Sequence, residues 1–132
     1  MSAIAKSKGV RMSPRKVAVV AALVRGRTVA DALTILEHTP RRSAKAVSDA
    51  VKSARANAEH NHSYKPDTLF IAEITVASGP RLKRYRPAAR GRALKFQRKT
   101  SHITVIVDGE KRVAKKTTTV KPAETSEEKE TK

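Results

Sequence analysis

The residues with the strongest chemical signal lie between Arg81 and Lys99, where nine Lys or Arg occur among 19 residues and no Asp or Glu interrupts them. A solvated loop ordinarily mixes charge signs to limit self-repulsion. A segment threaded among phosphates instead gains from every cation through counterion release. Six of the nine are arginines: Arg81, Arg84, Arg86, Arg90, Arg92 and Arg98. Their planar guanidinium groups can grip phosphate with two parallel bonds and stack on a base, neither of which the point charge of Lys83, Lys95 or Lys99 can do. Leu82, Tyr85, Leu94 and Phe96 are interleaved and could insert against bases or one another, while Ala88, Ala89, Gly91 and Ala93 would let backbone approach RNA closely. The same charge run would also fit a disordered cationic loop.

A second cluster, Lys6, Lys8, Arg11, Arg15 and Lys16, reads either as another RNA-facing surface or as a solvated helix face. Other chemistry is poorly represented. His60 and His62 stand two residues apart without a third or fourth ligand nearby, so no metal site is expected. His38 is placed near a helix end and His102 at the start of a strand, and neither belongs to a sequence-near Ser or Asp arrangement that identifies a triad, although triads are recognised by geometry and not by spacing. There is no cysteine, no Trp and no glycine-rich phosphate loop. With two Tyr and two Phe, a sheet that stacks several bases is also excluded. We therefore expect no catalytic residue and no cofactor.

The whole chain agrees with this reading. Its 132 residues carry 29 Lys and Arg against 12 Asp and Glu, a formal charge of +17 that calls for a polyanionic partner. Residues 1–110 are expected to form one domain around a modest core. From Lys111 to Lys132, Lys, Thr and Glu dominate, and a disordered tail is expected there. Met1 to Lys8 lack the apolar core of a secretory signal, and no run approaches the ~20 apolar residues of a membrane span. A cytosolic protein without a membrane partner is the expectation.

The positioning elements follow from periodicity. Ser13-Pro14 and Thr39-Pro40 each place a hydroxyl before a proline suited to a first helical turn. Val17, Val20, Leu23 and Val24 predict a helix over about 14–25 that stops near Gly26. Thr28, with Asp31 three residues on, opens a short helix carrying Val29, Ala32, Leu33 and Leu36 and ending before Pro40. Ala44, Val47, Val51, Ala54 and Ala58 predict the longest helix, from Pro40 to about Asn61, with Arg41, Arg42, Lys45, Lys52 and Arg55 on its outer faces. Phe70, Ala72, Ile74 and Val76 then alternate as the inner positions of a strand closed by Gly79-Pro80, and Ile103, Val105 and Val107 form a matching strand before Asp108-Gly109. The two are expected to pair antiparallel. Their connection of about 20 residues far exceeds an ordinary hairpin loop of 2 to 5. Read as a long hairpin with legs of about nine residues, it would reach roughly 30 Å from the sheet.

Ser13-Pro14-Arg15-Lys16-Val17, Leu23-Val24-Arg25-Gly26, Ala56-Asn57-Ala58-Glu59-His60-Asn61, Gly79-Pro80, Lys83-Arg84, Arg90-Gly91-Arg92 and Lys99-Thr100-Ser101-His102-Ile103-Thr104-Val105 together resemble the bacterial form of the large-subunit ribosomal protein L twenty-two family, over about Ile4 to Asp108. The resemblance implies an α+β fold of three helices packed on a small three-stranded antiparallel sheet, with a long extended β-hairpin and a first strand near Ala3 to Val10. It implies a structural constituent of the large ribosomal subunit that binds large-subunit rRNA, supports assembly and touches neighbouring ribosomal proteins. The hairpin tip, Lys83, Arg84, Tyr85, Arg86, Pro87, Ala88, Ala89, Arg90 and Gly91, would line the exit tunnel beside the nascent peptide. RNA contacts are expected from Arg11, Arg15, Lys16, Arg81, Lys83, Arg84, Arg86, Arg90, Arg92, Lys95, Arg98 and Lys99. The family usually carries Arg or His after Pro87, where this chain has Ala88. Two rivals differ in class: a non-ribosomal basic protein that wraps an arm around DNA, and an RNA-directed enzyme, for which no acid, base or metal site can be assembled.

Overall fold

The computed structural model describes residues 2–110, so the expected tail lies outside the described residues. Strand β1 (Ala3–Val10) leads to helices α1 (Pro14–Val24), α2 (Val29–His38) and α3 (Arg42–His62), and then to strands β2 (Phe70–Pro87) and β3 (Ala93–Asp108). A 3-10 turn occupies Pro66–Thr68, and a tight turn around Ala89–Gly91 joins β2 to β3. The sheet order is β1-β3-β2 and both pairings are antiparallel. This is the expected α+β fold, and the strand implied only by the family resemblance is β1, whose Ala3 lies opposite Val107.

The core forms where apolar helix stripes meet one side of the sheet. Val17, Val20, Ala21 and Val24 of α1 are buried, spaced by three and four residues. Leu23, expected with them, falls outside that arc and is 47% exposed. On α3 the buried stripe of Ala44, Val47, Val51, Ala54 and Ala58 matches the expectation. Its small side chains let α3 lie close over β1 and β3, and Asn57 Nδ2 donates to Ile4 O at 3.0 Å.

Helix ends follow the sequence in part. Thr28 caps α2 as expected: its Oγ1 accepts from the Asp31 N–H at 3.2 Å and donates to Asp31 Oδ2 at 2.7 Å. Ser13 makes no side-chain cap. Thr39 does not open α3. Its hydroxyl donates to Ile35 O at 2.6 Å, satisfying a carbonyl left over at the end of α2, and α3 begins only at Arg42.

The largest correction concerns β2. Against expectation Phe70 is 44% exposed and Ala72 is exposed, with Ile71 buried instead, whereas Ile74 is buried and Val76 packs half-buried on the core as expected. The register explains the change of phase: Ile71 faces Val107 and Glu73 faces Ile106, so Ala72 is an extra, bulged residue. Nor do Gly79 and Pro80 end the strand. Ser78 faces Ser101 and Arg81 faces Lys99, so the two residues together oppose Thr100, whose Oγ1 donates to Pro80 O at 2.7 Å, and β2 continues to Pro87. His102 accordingly lies well inside β3, not at its start, with Nδ1 accepting from the Gly9 N–H at 3.0 Å.

Candidate nucleic-acid interface

Beyond the bulge at Gly79-Pro80, β2 and β3 leave the globular body as a two-stranded ribbon. Seven cross-strand pairs run from Arg81–Lys99 to Pro87–Ala93. At ~3.3 Å per residue the paired part spans about 20 Å. It is shorter than the expected reach because the remaining residues of each leg form the turn. There the Ala88 N–H donates to Arg92 O at 2.8 Å, and Arg90 and Gly91 take left-handed conformations with φ of 59° and 71°. Ala88 is thus a turn residue, while Lys83 to Pro87 of the expected tip belong to the paired arm.

Every residue from Arg81 to Lys99 is exposed except half-buried Ala88. Leu82, Tyr85, Leu94 and Phe96 remain between 40% and 63% exposed, so they are not the ribbon's own core. A two-stranded ribbon with no layer beneath it is marginal in water, and apolar groups left open at this density suit a partner surface.

At the ribbon's base the fold builds a groove of about 680 Å³ between the starts of α1 and α3 and the first turns of the ribbon. Arg11, Lys16, Arg41, Arg42, Arg98 and Lys99 line it, with Ser13, Leu82 and Thr100 among the rest. Neither helix has an acidic residue in its first turn or a side-chain cap, so the partial positive charge of both N-termini stays uncompensated. Ser43 Oγ donates to Lys16 O at 3.4 Å and ties the two helix starts together. Among the described residues the ion pairs are Arg55–Glu59 and Lys65–Glu110, and neither involves a groove cation. Six cations, two helix N-termini and no carboxylate make a surface matched to bridging phosphates.

The structure therefore brings Arg11 and Lys16 beside Arg98 and Lys99, which the chain separates by more than 80 residues. Arg15 is exposed on α1 but does not line the groove. Arg81, Lys83, Arg84, Arg86, Arg90, Arg92 and Lys95 lie outside the groove lining, along the ribbon and its turn. Arg41 and Arg42 are additions, assigned from sequence only to an outer helix face. Their signal was available: two arginines immediately ahead of an acid-free helix start.

Elsewhere, His62 packs its ring 6.0 Å from that of Tyr64, and no three His, Cys, Asp or Glu among the described residues are placed to hold a metal ion. Among the same residues no helix is long and apolar enough to cross a membrane. Tyr64 is buried, and burial raises its phenol pKa above the usual 10, with the charge of Asp108 and its hydrogen bond to that carboxylate acting in the same direction.

Residues 5–108 match the family model for ribosomal protein L22p/L17e. The large ribosomal subunit protein uL22 of Clostridium tetani is 50% identical over 107 residues, covering 81% of this chain and 96% of that protein. Its namesake from Herpetosiphon aurantiacus is 49% identical over 108 residues, 82% and 96% of the two chains. That of Oceanobacillus iheyensis is 49% identical over 111 residues, 84% and 98%.

Proposed function

Because this chain belongs to the ribosomal protein L22p/L17e family, whose members are structural and not enzymes, we propose that it is a cytoplasmic constituent of the large ribosomal subunit that binds large-subunit rRNA and supports its assembly. In this reading residues 1–110 act as one RNA-binding unit. The groove grips phosphates at the base, and the ribbon extends into folded RNA until residues 83–91 border the path of the nascent peptide. Neighbouring large-subunit proteins would meet the remaining surface. The observation that carries the reading is the continuity of charge: Arg98 and Lys99 belong both to the groove and to a ribbon whose 19 residues contain no carboxylate.

The mechanism is positioning. Cations neutralise phosphates and release counterions, so affinity should fall with salt by roughly 0.7 to 0.9 in logarithmic slope for each phosphate contacted. Arginines on the exposed ribbon can hold phosphate bidentately, which fixes orientation as well as affinity.

The test is crosslinking from Arg86 and Arg90 within intact large subunits, after confirming that the chain co-sediments with them through a moderate-salt wash. The expected products are adducts to large-subunit rRNA from both positions, and from Arg90 also to a stalled nascent chain. Loss from the subunit in the wash would overturn the ribosomal reading. Adducts to protein alone would overturn the RNA contact.

A further inference from the structure

The register of the ribbon separates its cations by chemical type. Between Arg81 and Pro87 the pairing is unbroken, so alternate residues share a face and directly opposed residues share it too. One face holds the pairs Leu82–Arg98, Arg84–Phe96 and Arg86–Leu94: every pair sets one arginine against one large apolar side chain, and no lysine is present. The other face holds Arg81–Lys99, Lys83–Gln97 and Tyr85–Lys95, where three of the four cations are lysines. Composition alone, nine cations in 19 residues, does not reveal this division.

The difference matters because the two cations bind differently. Lysine keeps a tightly hydrated charge and contacts phosphate without fixed geometry, whereas a weakly hydrated guanidinium stacks on a base and clamps phosphate in its plane. Arginine stems could in principle cover the neighbouring apolar groups and make the arrangement internal to the ribbon. They do not do so here, since Leu82, Leu94 and Phe96 remain 41%, 58% and 40% exposed. Open apolar surface beside planar cations fits the π-faces and edges of unpaired nucleobases.

Building on the reading that the ribbon binds rRNA, we infer that its two faces have different roles: the Arg84, Arg86 and Arg98 face, with Leu82, Leu94 and Phe96, seats on nucleobases and their phosphates, and the lysine-rich face, where Arg81 and Tyr85 stand beside the three lysines, supplies mainly charge. Orientation within the RNA is then set by the first face. The second tolerates any arrangement of phosphates around it and remains hydrated.

The experiment compares charge-conserving variants of the full chain for binding to protein-free large-subunit rRNA across a salt series. Arg84→Lys/Arg86→Lys/Arg98→Lys is expected to lose about tenfold or more in affinity with an unchanged salt slope, because the charge stays and the planar contacts go. Lys83→Arg/Lys95→Arg/Lys99→Arg is expected to stay within about threefold of the parent. Leu94→Ser/Phe96→Ser should weaken binding, again at constant slope. Thermal melts of all three should match the parent, since every substituted position is exposed. Equal losses from the two triple variants would overturn the division of faces while leaving RNA binding intact. So would Leu94→Ser/Phe96→Ser variants that keep full RNA affinity and lose attachment to a subunit protein, which would assign the apolar face to protein. A parent chain with no salt-dependent affinity for the rRNA would instead remove the underlying reading.

Discussion

Replacing both Arg41 and Arg42 by Gln separates what the groove does for binding from what it does for folding. Both side chains are exposed, line the groove at the start of α3 and stand where a helix N-terminus already carries partial positive charge. If each neutralises one phosphate, the double variant should reduce the slope of log affinity against log salt by roughly 1.4 to 1.8. At 0.1 M salt that corresponds to about 5- to 8-fold per contact, or roughly 25- to 60-fold together. Folding should respond in the opposite direction, because two cations are withdrawn from the positive end of the helix dipole. A gain of about 0.3 to 1 kcal/mol is expected, or a rise of roughly a few degrees in Tm. Filter binding to large-subunit rRNA over a salt series and a thermal melt of the free chain measure the two effects independently. An unchanged slope would refute the assignment of these arginines to phosphates. A fall in both affinity and Tm would show that the loss came from a damaged fold, and the reasoning about the groove would fail.

The other expectations probe the fold where it launches the ribbon and where the sheet ends. Ser101 is fully buried on β3 with no hydrogen-bond partner for its Oγ; Ser101→Ala should therefore stabilise by about 1 kcal/mol in denaturant titration, and a destabilisation would reveal a hidden partner. A methyl group at Gly79 would lie 2.6 Å from Thr100 Oγ1, which is itself held to Pro80 O, so Gly79→Ala should cost about 1 to 3 kcal/mol, and an unshifted denaturation midpoint would contradict that packing. The Tyr64 phenol titrates above its unfolded value of about 10, so its contribution is complete below that pH and is lost as pH rises through the folded value. Tyr64→Phe should lower the melting temperature at neutral pH and flatten its decline in alkali; an equally steep alkaline decline in the variant would place the titrating group elsewhere.

Legibility in the sequence tracked how local the governing interactions are. α2 with its Thr28–Asp31 cap, the α3 stripe from Ala44 to Ala58, and the alternation of Ile103, Val105 and Val107 could be read directly, since residues a few positions apart decide each. The phase at the start of β2 could not. A single bulge at Ala72 leaves Ile74 and Val76 on the expected side but buries Ile71 in place of Phe70 and Ala72, and only the register against β3 shows where the extra residue goes. Thr39 shows the same limit: a hydroxyl before a proline fits a helix start in sequence, but here it lies at the end of α2 and donates to Ile35 O, while α3 begins at Arg42.

For the candidate site, the sequence by itself determined the sign and density of charge and the chain segment that bears it. Those are properties of composition between Arg81 and Lys99, and they suffice to specify a polyanionic partner. Only the tertiary structure decided which cations lie together. Folding brings the starts of α1 and α3 to the base of the ribbon, joining Arg11, Lys16, Arg41 and Arg42 to Arg98 and Lys99, and the strand register separates the ribbon's three lysines from Arg84, Arg86 and Arg98, leaving only Arg81 among its paired arginines on their face. Charge is additive along a chain, but its arrangement in space depends on helix packing and on a period-two pleat set by bulges, and neither is encoded at the position of the charge itself.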